Sequence, residues 1–258
     1  MLLADNQQSG LTVFSDADLT AQIEPFDSFW EAPEDIERGY ERFYQFYKHN
    51  YLAHLPTFKD ARILVISCGP GYFLNTLLRH GYSNAVGIDS DETKVALARA
   101  KGLNCHVDRA FRYLRTAPDQ FDVIFAEQEI NHLTKREILA FFRLCRDRLK
   151  DGGTLIVHSI NGATPLTGSE SRAGNFDHYN SFTEYSLAQT LEFSGFGPTR
   201  VIPLNLYVFY RNPMNYVALT MHKLYSFFVR VGFVLVGKSA KIFTKKIAAV
   251  TRKPGAHA

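Results

Sequence analysis

The chain has 258 residues, of which 46% are hydrophobic and 21% are charged. This apolar content excludes a disordered chain, and 17 Gly and 10 Pro without a period exclude collagen and a coiled coil. The length suits one large α/β domain or two smaller domains. The three cysteines, Cys68, Cys105 and Cys145, have no C-x-x-C spacing, so neither a disulfide framework nor a zinc site is predicted.

The charge is divided unevenly along the chain. The net charge is +3, but Glu192 is the last acidic residue, and the 66 residues after it carry ten Lys or Arg. Such a basic end is typical of a protein that meets an anionic partner, for example lipid headgroups, a phosphorylated substrate or nucleic acid. A solvated basic face is the alternative interpretation.

The first residues show no targeting segment. Residues 1–8 contain neither a basic region nor an apolar stretch, so no secretory signal is expected. Together with the unpaired cysteines, this predicts a cytoplasmic protein.

The predicted elements begin with a helix and then alternate. Aromatic residues recur at three- and four-residue steps between Trp30 and Leu55, which predicts an amphipathic helix that ends at Pro56. Apolar runs at 61–67, 85–88, 121–126 and 154–158 predict strands, with helices at 91–101 and 135–149 between them. A further helix at 182–193 and β-rich runs at 200–210 and 246–251 follow. This order predicts βαβ units in a parallel, helix-covered sheet.

A glycine loop follows the first predicted strand. Gly69-Pro70-Gly71 stands between this strand and a helix, and Asp89 ends the next strand. Glycines let the backbone approach a ligand, and such an acid accepts hydrogen bonds from ribose hydroxyls. Leu74 replaces the third glycine of a dinucleotide motif, and the loop has no Lys for a P-loop. The loop therefore favours a nucleoside ligand without phosphates.

These residues resemble class I S-adenosylmethionine-dependent methyltransferases. The segment 63–73 (ILVISCGPGYF) resembles their first motif, and the segments 87–91, 121–125, 127–132 and 149–155 resemble the later ones. The resemblance implies a Rossmann-like, seven-stranded, mostly parallel sheet with helices on both faces and an antiparallel terminal hairpin. Residues 1–57 would form an N-terminal helical cap and 58–258 the methyltransferase domain, with an apolar helical insert at 213–243 before the last strand.

The resemblance also implies S-adenosylmethionine as cofactor and assigns residues to it. Gly69 and Gly71 would face its methionine part, Asp89 its ribose, and Arg109 with Ala110 its adenine side. The full set of expected cofactor-binding residues is Ser67, Gly69, Gly71, Asp89, Ser90, Arg109, Ala110, Glu127 and Gln128.

Two positions depart from the family pattern. Val65 stands where the first motif commonly has an acid, and Ser67 stands where it has its first glycine. Without the acid, another group must hold the amino group of the cofactor. Glu127, at the end of the fourth strand, is expected to take that role.

Histidines at the carboxyl ends of the strands are the candidate bases. Methyl transfer to a hydroxyl requires removal of a proton, for which a group with a pKa near neutral is suited. His132 follows the fourth strand, His158 ends the fifth, and His178 lies in a loop that resembles the substrate-facing loop of sugar-directed methyltransferases. Because the carboxyl ends of parallel strands form the site, these three are expected to converge.

We predict His132 as the base and His178 as the second candidate, with Asp177 orienting either imidazole. Anchoring of the loops is the structural alternative for both histidines. No metal is predicted, since no two candidate ligands have the spacing of a pair on one helix face.

The segment 213–243 is unusually apolar and aromatic. On one continuous helix, Lys223, Arg230, Lys238 and Lys241 would fall within about 80° of one another. A basic stripe beside aromatic residues predicts a helix in the interface of an anionic membrane, on its inner face. An insert packed on the domain, or a dimer contact, is the alternative. A spanning helix is not expected, because the next strand returns to the same sheet.

The predicted function is S-adenosylmethionine-dependent O-methylation of a sugar or glycan hydroxyl, on a small-molecule or lipid-linked acceptor. The region around 161–163 and 177–178 resembles that of methyltransferases from bacterial surface-polysaccharide and sugar pathways, and this resemblance implies such an acceptor. Two alternatives remain open: a quinone- or lipid-directed methyltransferase, and a non-catalytic, membrane-associated scaffold in polysaccharide assembly. Nucleic acid is not expected as a partner, since no element for a flipped base follows the fourth strand. The oligomeric state is not predicted.

Overall fold

The computed structural model describes residues 33–205 and 212–255. The strands are β1 (Ile63–Ile66), β2 (Ala85–Asp89), β3 (Cys105–Val107), β4 (Phe121–Ala126), β5 (Leu149–Ile160), β6 (Arg200–Leu204) and β7 (Lys246–Arg252). The helices are α1 (Pro33–Tyr51), α2 (Tyr72–Arg79), α3 (Glu92–Ala100), α4 (Ala110–Thr116), α5 (Lys135–Arg148), α6 (Gly168–Ala173), α7 (Glu184–Phe193) and α8 (Met214–Leu235).

The seven strands form one sheet in the order β3-β2-β1-β4-β5-β7-β6. The strands from β3 to β5 pair in parallel, and β7 lies antiparallel between β5 and β6. The predicted Rossmann-like sheet with its antiparallel terminal hairpin is confirmed. The parallel strands place their carboxyl ends at one edge, and this edge carries the candidate site.

The core lies on both faces of the sheet. Because side chains alternate along a strand, Leu64 and Ile66 of β1 pack into one cluster while Ile63 and Val65 pack into the other. The first cluster includes residues of α4, α5 and α7, and the second includes residues of α1, α2 and α3. Two covered faces explain why β1 is apolar at every position instead of alternating.

Several elements differ from the sequence predictions. β3, α4 and α6 were not predicted, since three to seven residues are too few to show a period. β5 begins at Leu149 and includes Asp151-Gly152-Gly153, which the sequence indicated as a break before a strand at 154. Of the strand predicted at 200–210, β6 covers the first five residues, and 206–211 lie outside the described residues. The predicted start of the first helix at Trp30 also lies outside them.

The helical insert is confirmed between β6 and β7, but it is shorter than predicted. α8 ends at Leu235, and Gly237 adopts a left-handed conformation with φ 72° just after it. Lys238 and Lys241 therefore do not continue the helical stripe of Lys223 and Arg230.

Gly87 marks a close approach between β2 and its neighbours. A Cβ atom at this position would lie 2.5 Å from Leu74 Cδ1 and 2.8 Å from Cys68 Sγ. We expect Gly87→Ala to lower the free energy of unfolding by about 1–3 kcal/mol through overpacking, as measured by urea denaturation. Gly232→Ala is the matched control in α8, where nothing lies within 4 Å of the new Cβ. Because alanine has a higher helix propensity than glycine, this control should leave the free energy of unfolding unchanged or raise it by up to about 1 kcal/mol. Equal stabilities of the two variants would contradict this interpretation.

Candidate functional site

The loop after β1 presents bare backbone to open space. Ser67, Gly69 and Gly71 adopt positive φ values of 55°, 52° and 86°. Nothing lies within 4 Å of the place where a Cβ of Gly69 would be, whereas a Cβ on Gly71 would lie 2.5 Å from Leu103. Gly69 therefore leaves room for a ligand against the main chain, while Gly71 allows the loop to pack on the core.

Asp89 ties this loop to the end of β2. Its carboxylate accepts hydrogen bonds from Gly69 N at 2.7 Å and from Asp91 N at 2.9 Å. Burial raises the pKa of Asp89 above its ordinary value, although both backbone hydrogen bonds oppose this rise. Ser90 is exposed beside it.

Arg109 and Ala110 reach the same edge from the next strand. They stand at the start of α4, after β3, and Asp108 N donates to Asp89 O at 3.0 Å. Three neighbouring strand ends thus bring together the residues predicted for the cofactor's ribose and adenine side.

Glu127 belongs to a buried polar group after β4. Tyr47 Oη donates to Glu127 Oε2 at 2.5 Å, and His158 Nδ1 lies 3.3 Å from Glu127 Oε1. Burial opposes ionisation of Glu127, but His158, Lys246 and the Tyr47 hydroxyl outweigh it, so its pKa is lowered. Glu127 is therefore held as a carboxylate, as the predicted contact with an amino group requires.

The two residues after Glu127 are also unusual. Gln128 adopts a positive φ of 57°, a strained conformation that often occurs at functional sites. Glu129 accepts a hydrogen bond from Ser67 Oγ, and burial raises the pKa of Glu129. The sequence prediction omitted Glu129 and Tyr47 from the site. Two features of the sequence could have identified these residues. Glu129 lies in the loop after β4, and Tyr47 belongs to the aromatic face of the first helix.

Helix α1 packs over the glycine loop. Tyr40 Oη donates to Pro70 O at 2.5 Å, and Tyr72 Oη donates to Ile36 O at 2.9 Å. With Tyr47 reaching Glu127, these contacts place the helix above the first strand end.

His132 and His178 come together at the carboxyl edge, after β4 and after α6. Their ring centroids are 4.9 Å apart, and His132 Nδ1 lies 3.0 Å from Asp177 Oδ2. His132 Nδ1 and Asp177 Oδ2 are at ion-pair distance, but their alignment is not that of a hydrogen bond. Among the described residues, neither His132 Nδ1 nor Asp177 Oδ1 has a hydrogen-bond partner. Asp177 is 3% exposed and His132 is 23% exposed. A half-buried imidazole beside a buried carboxylate is an arrangement suited to proton transfer.

The same three side chains are also spaced closely enough to hold a metal ion. One ligand atom each of His132, Asp177 and His178 lies within 4.8 Å of the other two. The sequence spacing gave no sign of this grouping, because the loop after α6 brings Asp177 and His178 to His132 through space.

His158 does not join the other histidines, so the predicted convergence of all three is wrong. It is fully buried, and its Nδ1 lies 3.2 Å from Tyr51 Oη on α1 and close to Glu127. Burial lowers its pKa. His158 lies within β5 and two residues before its end, so its side chain packs under α1 and away from the loop of His178.

A largely apolar cavity of about 460 Å³ lies farther along the same edge. Its walls include Thr164, Thr167, Leu204, Leu219, Tyr225 and Phe243. Helix α6 connects this cavity to the histidine pair, because Gly168 N donates to Thr164 O while Ser171 O lies 3.0 Å from His178 Nδ1.

Comparisons with known proteins assign a family to the segment that carries most of this site. Residues 63–153 match the model of a family described as "Methyltransferase domain". This segment is a class I S-adenosylmethionine-dependent methyltransferase domain. The match covers β1 to the start of β5 and thus the glycine loop, Asp89, Glu127 and His132. The methyl donor of this domain is S-adenosylmethionine, and the open backbone at Gly69, the half-buried Asp89 carboxylate and the ionised Glu127 suit its sulfonium nucleoside and amino group.

Three relatives give the range of the similarity. The chain is 28% identical over 156 residues to a ubiquinone biosynthesis O-methyltransferase of Dinoroseobacter shibae, covering 55% of this chain and 62% of that protein. It is 32% identical over 109 residues to the protein of the same name from Chelativorans sp., covering 40% and 42%. A methyltransferase structure from Archaeoglobus fulgidus shares the fold, with a TM-score of 0.59, 19% identity and coverage of 84% and 94%. The chain thus spans less than two thirds of the length of these two curated relatives.

The buried His158 predicts a dependence of stability on pH. The pKa of His158 is lowered from 6.5, so the folded protein binds fewer protons there than the unfolded chain. This contribution is fully present above about pH 6.5 and is lost as the pH falls from there through the lowered pKa of the folded state. Glu127, whose pKa is lowered from 4.5, acts with the same sign at more acidic pH. We expect the free energy of unfolding, from urea titrations, to fall between pH 7 and pH 5.

The contribution of His158 can be separated by substitution. His158→Gln removes the titrating group, so its stability should fall less steeply over this interval than that of the wild type. His106→Gln changes an exposed histidine and should keep the wild-type slope. If the stability of His158→Gln falls with pH as steeply as that of the wild type, His158 is not the group responsible.

Proposed function

We propose that the protein is an S-adenosylmethionine-dependent O-methyltransferase whose acceptor is a hydroxyl on an apolar small molecule of the quinone type. The observation that carries the substrate class is the largely apolar cavity at the carboxyl edge of the sheet, one short helix away from His132 and His178. Such a cavity suits a hydrophobic ring or tail.

The curated relatives support the same choice. Both are named for ubiquinone biosynthesis, so they favour the quinone-directed alternative over the sugar or glycan acceptor predicted from the sequence. The polysaccharide pathway has no support from these relatives. A glycan acceptor should therefore be included as the competing candidate when acceptors are screened.

The residues of this chain have separate tasks in the proposed reaction. When bound, S-adenosylmethionine supplies an electrophilic methyl group. The backbone at Gly69, the carboxylate of Asp89 and the carboxylate of Glu127 would hold it, with Ser67, Gly71, Ser90, Arg109, Ala110 and Gln128 forming the rest of the predicted contact set. Orientation of two reactants in this way can supply about 7–11 kcal/mol of the barrier reduction.

His132 would remove the proton from the acceptor hydroxyl. Asp177 lies at its Nδ1 side, so a proton on Nδ1 would leave Nε2 as the accepting atom. The carboxylate then stabilises the imidazolium that forms. His178, with its Nδ1 facing Ser171 O, is the second candidate base.

Cofactor binding is the first test. Calorimetric titration of S-adenosylhomocysteine should show micromolar binding to the wild type, and Asp89→Ala should weaken it at least tenfold because the loop and ribose contacts are both lost. Asp151→Ala removes an exposed acid on β5 and is the control. NAD should not bind. A wild-type protein that binds no S-adenosylhomocysteine would favour the non-catalytic scaffold.

The base is tested by turnover. With a short-chain hydroquinone acceptor, His132→Ala should lower kcat by about 10²–10⁴-fold while the affinity for S-adenosylhomocysteine stays unchanged. Asp177→Asn should lower kcat less, and His106→Gln should have no effect. Full activity in His132→Ala with a large loss in His178→Ala would move the base to His178.

A chelator separates proton transfer from metal binding at these side chains. Activity that survives ethylenediaminetetraacetate supports the histidine base. Activity that is lost and then restored by a divalent cation would assign His132, Asp177 and His178 to a metal site.

A further inference from the structure

We infer that α8 lies flat on an anionic lipid bilayer and forms the port through which an apolar acceptor enters the cavity. The docking on the bilayer is argued from the residues of α8 alone. The role of α8 as a port rests on the proposed function, since it requires an apolar acceptor.

Helix α8 has two distinct faces. Its half-buried residues recur at three- and four-residue steps and face the domain: Asn215, Ala218, Leu219, His222, Tyr225, Ser226, Val229 and Phe233. The opposite face is apolar and exposed, and Phe227, Phe228, Val234 and Leu235 are 61%, 68%, 62% and 81% exposed. None of the residues in this helix is buried. An exposed apolar strip of this length is typical of an interaction surface.

Basic residues border the exposed strip. Lys223 and Arg230 are seven positions apart, so they lie on one side of the helix, between its inner and outer faces. No acidic residue follows Glu192 in the sequence. An apolar strip with a basic border matches the acyl and headgroup layers of an anionic bilayer surface.

The contacts of α8 place it along the domain. Tyr225 Oη lies 3.3 Å from Thr164 Oγ1, and the rings of Phe233 and Phe243 are 4.9 Å apart. The helix is long and apolar enough to cross a membrane by composition. Both strands that flank it belong to the same sheet, however, and the contacts near its middle and its end hold it against that domain. A peripheral position fits these constraints, and a spanning one does not.

Charge also argues against a second copy of this chain as the occupant of the strip. A symmetric pairing of two α8 strips would bring Lys223 and Arg230 of both copies near one interface. With no carboxylate after Glu192, this part of the chain supplies nothing to neutralise them. An anionic bilayer removes the repulsion.

The inner face of α8 provides the route from the bilayer to the site. Leu219, His222 and Tyr225 line the cavity, while Leu224 and Phe228 on the other side are exposed. One helix about 10 Å thick therefore separates the bilayer surface from the cavity. An acceptor dissolved in the bilayer would pass along this helix into the cavity without crossing bulk water.

Vesicle co-sedimentation of the full chain tests the docking. The protein should bind vesicles of phosphatidylcholine with phosphatidylglycerol, bind pure phosphatidylcholine far less, and lose affinity as salt rises. Phe227→Ser with Val231→Ser should reduce binding at least tenfold, since both side chains are exposed and their loss leaves the core intact. Phe58→Ser with Phe193→Ser is the matched control at exposed aromatics elsewhere.

The charges have their own pair of variants. Lys223→Gln with Arg230→Gln should weaken binding to anionic vesicles by about tenfold or more. Lys135→Gln with Arg136→Gln, an exposed basic pair on α5, should leave it unchanged. Circular dichroism verifies that each variant is folded.

Three results would overturn the docking. The first is equal binding to neutral and anionic vesicles that the α8 variants do not change. The second is resistance to extraction at alkaline pH, which would show a spanning helix. The third is a dimer in light scattering that the Phe227 and Val231 changes convert to a monomer while vesicle binding persists.

Turnover measurements distinguish a failure of the port from a failure of the proposed function. The α8 variants should retain affinity for S-adenosylhomocysteine and turnover of a soluble short-chain acceptor, but lose turnover of a long-tailed acceptor presented in vesicles. Equal loss on both acceptors, or on neither, would refute the port. Vesicle binding without any turnover would refute the proposed function and leave the docking intact.

Discussion

The hydrogen bond from Gly69 N to the Asp89 carboxylate joins the ends of β1 and β2, and the candidate site is built outward from this junction. The bond holds the left-handed glycine loop against a half-buried acid at the position where a nucleoside would approach the bare backbone. It depends in turn on the parallel pairing of β1 with β2 and β4, which brings three strand ends to one edge. Without that pairing, Asp89, Glu127 and the loop would have no common neighbourhood.

Two histidine environments along this edge have different physical characters. His158 is sealed under α1 with Glu127, Tyr47 and Tyr51, where burial favours its neutral form and the carboxylate stays charged. His132 is partly open and lies beside the buried Asp177. The first environment is suited to holding a fixed electrostatic field near the cofactor position. The second is open to solvent, as the proposed proton transfer requires.

The antiparallel hairpin places α8 at the same edge of the sheet as the candidate site. β6 and β7 carry α8 between them, so the insert is held at the same side of the sheet as the strand ends that form the site. One face of α8 closes the apolar cavity and the other remains exposed with a basic border. The proposed docking of α8 on a lipid surface depends on these two faces.

The sequence by itself determined the fold class, because buried parallel strands need continuous apolar runs and the glycine loop needs residues that adopt positive φ. It also placed Asp89, Glu127 and His132 at strand ends, since these positions follow directly from the strand boundaries. Short elements such as β3 and α6 escaped prediction because three and six residues contain fewer than two full periods of a strand or a helix. The pairing of His132 with Asp177, the contact of Tyr47 with Glu127 and the separation of His158 were decided only by tertiary structure. The first two join residues 45 and 80 positions apart, and the third follows from the packing of His158 beneath Tyr51, which is 107 positions away. No local pattern in the sequence specifies the loops and helix packing that make these contacts.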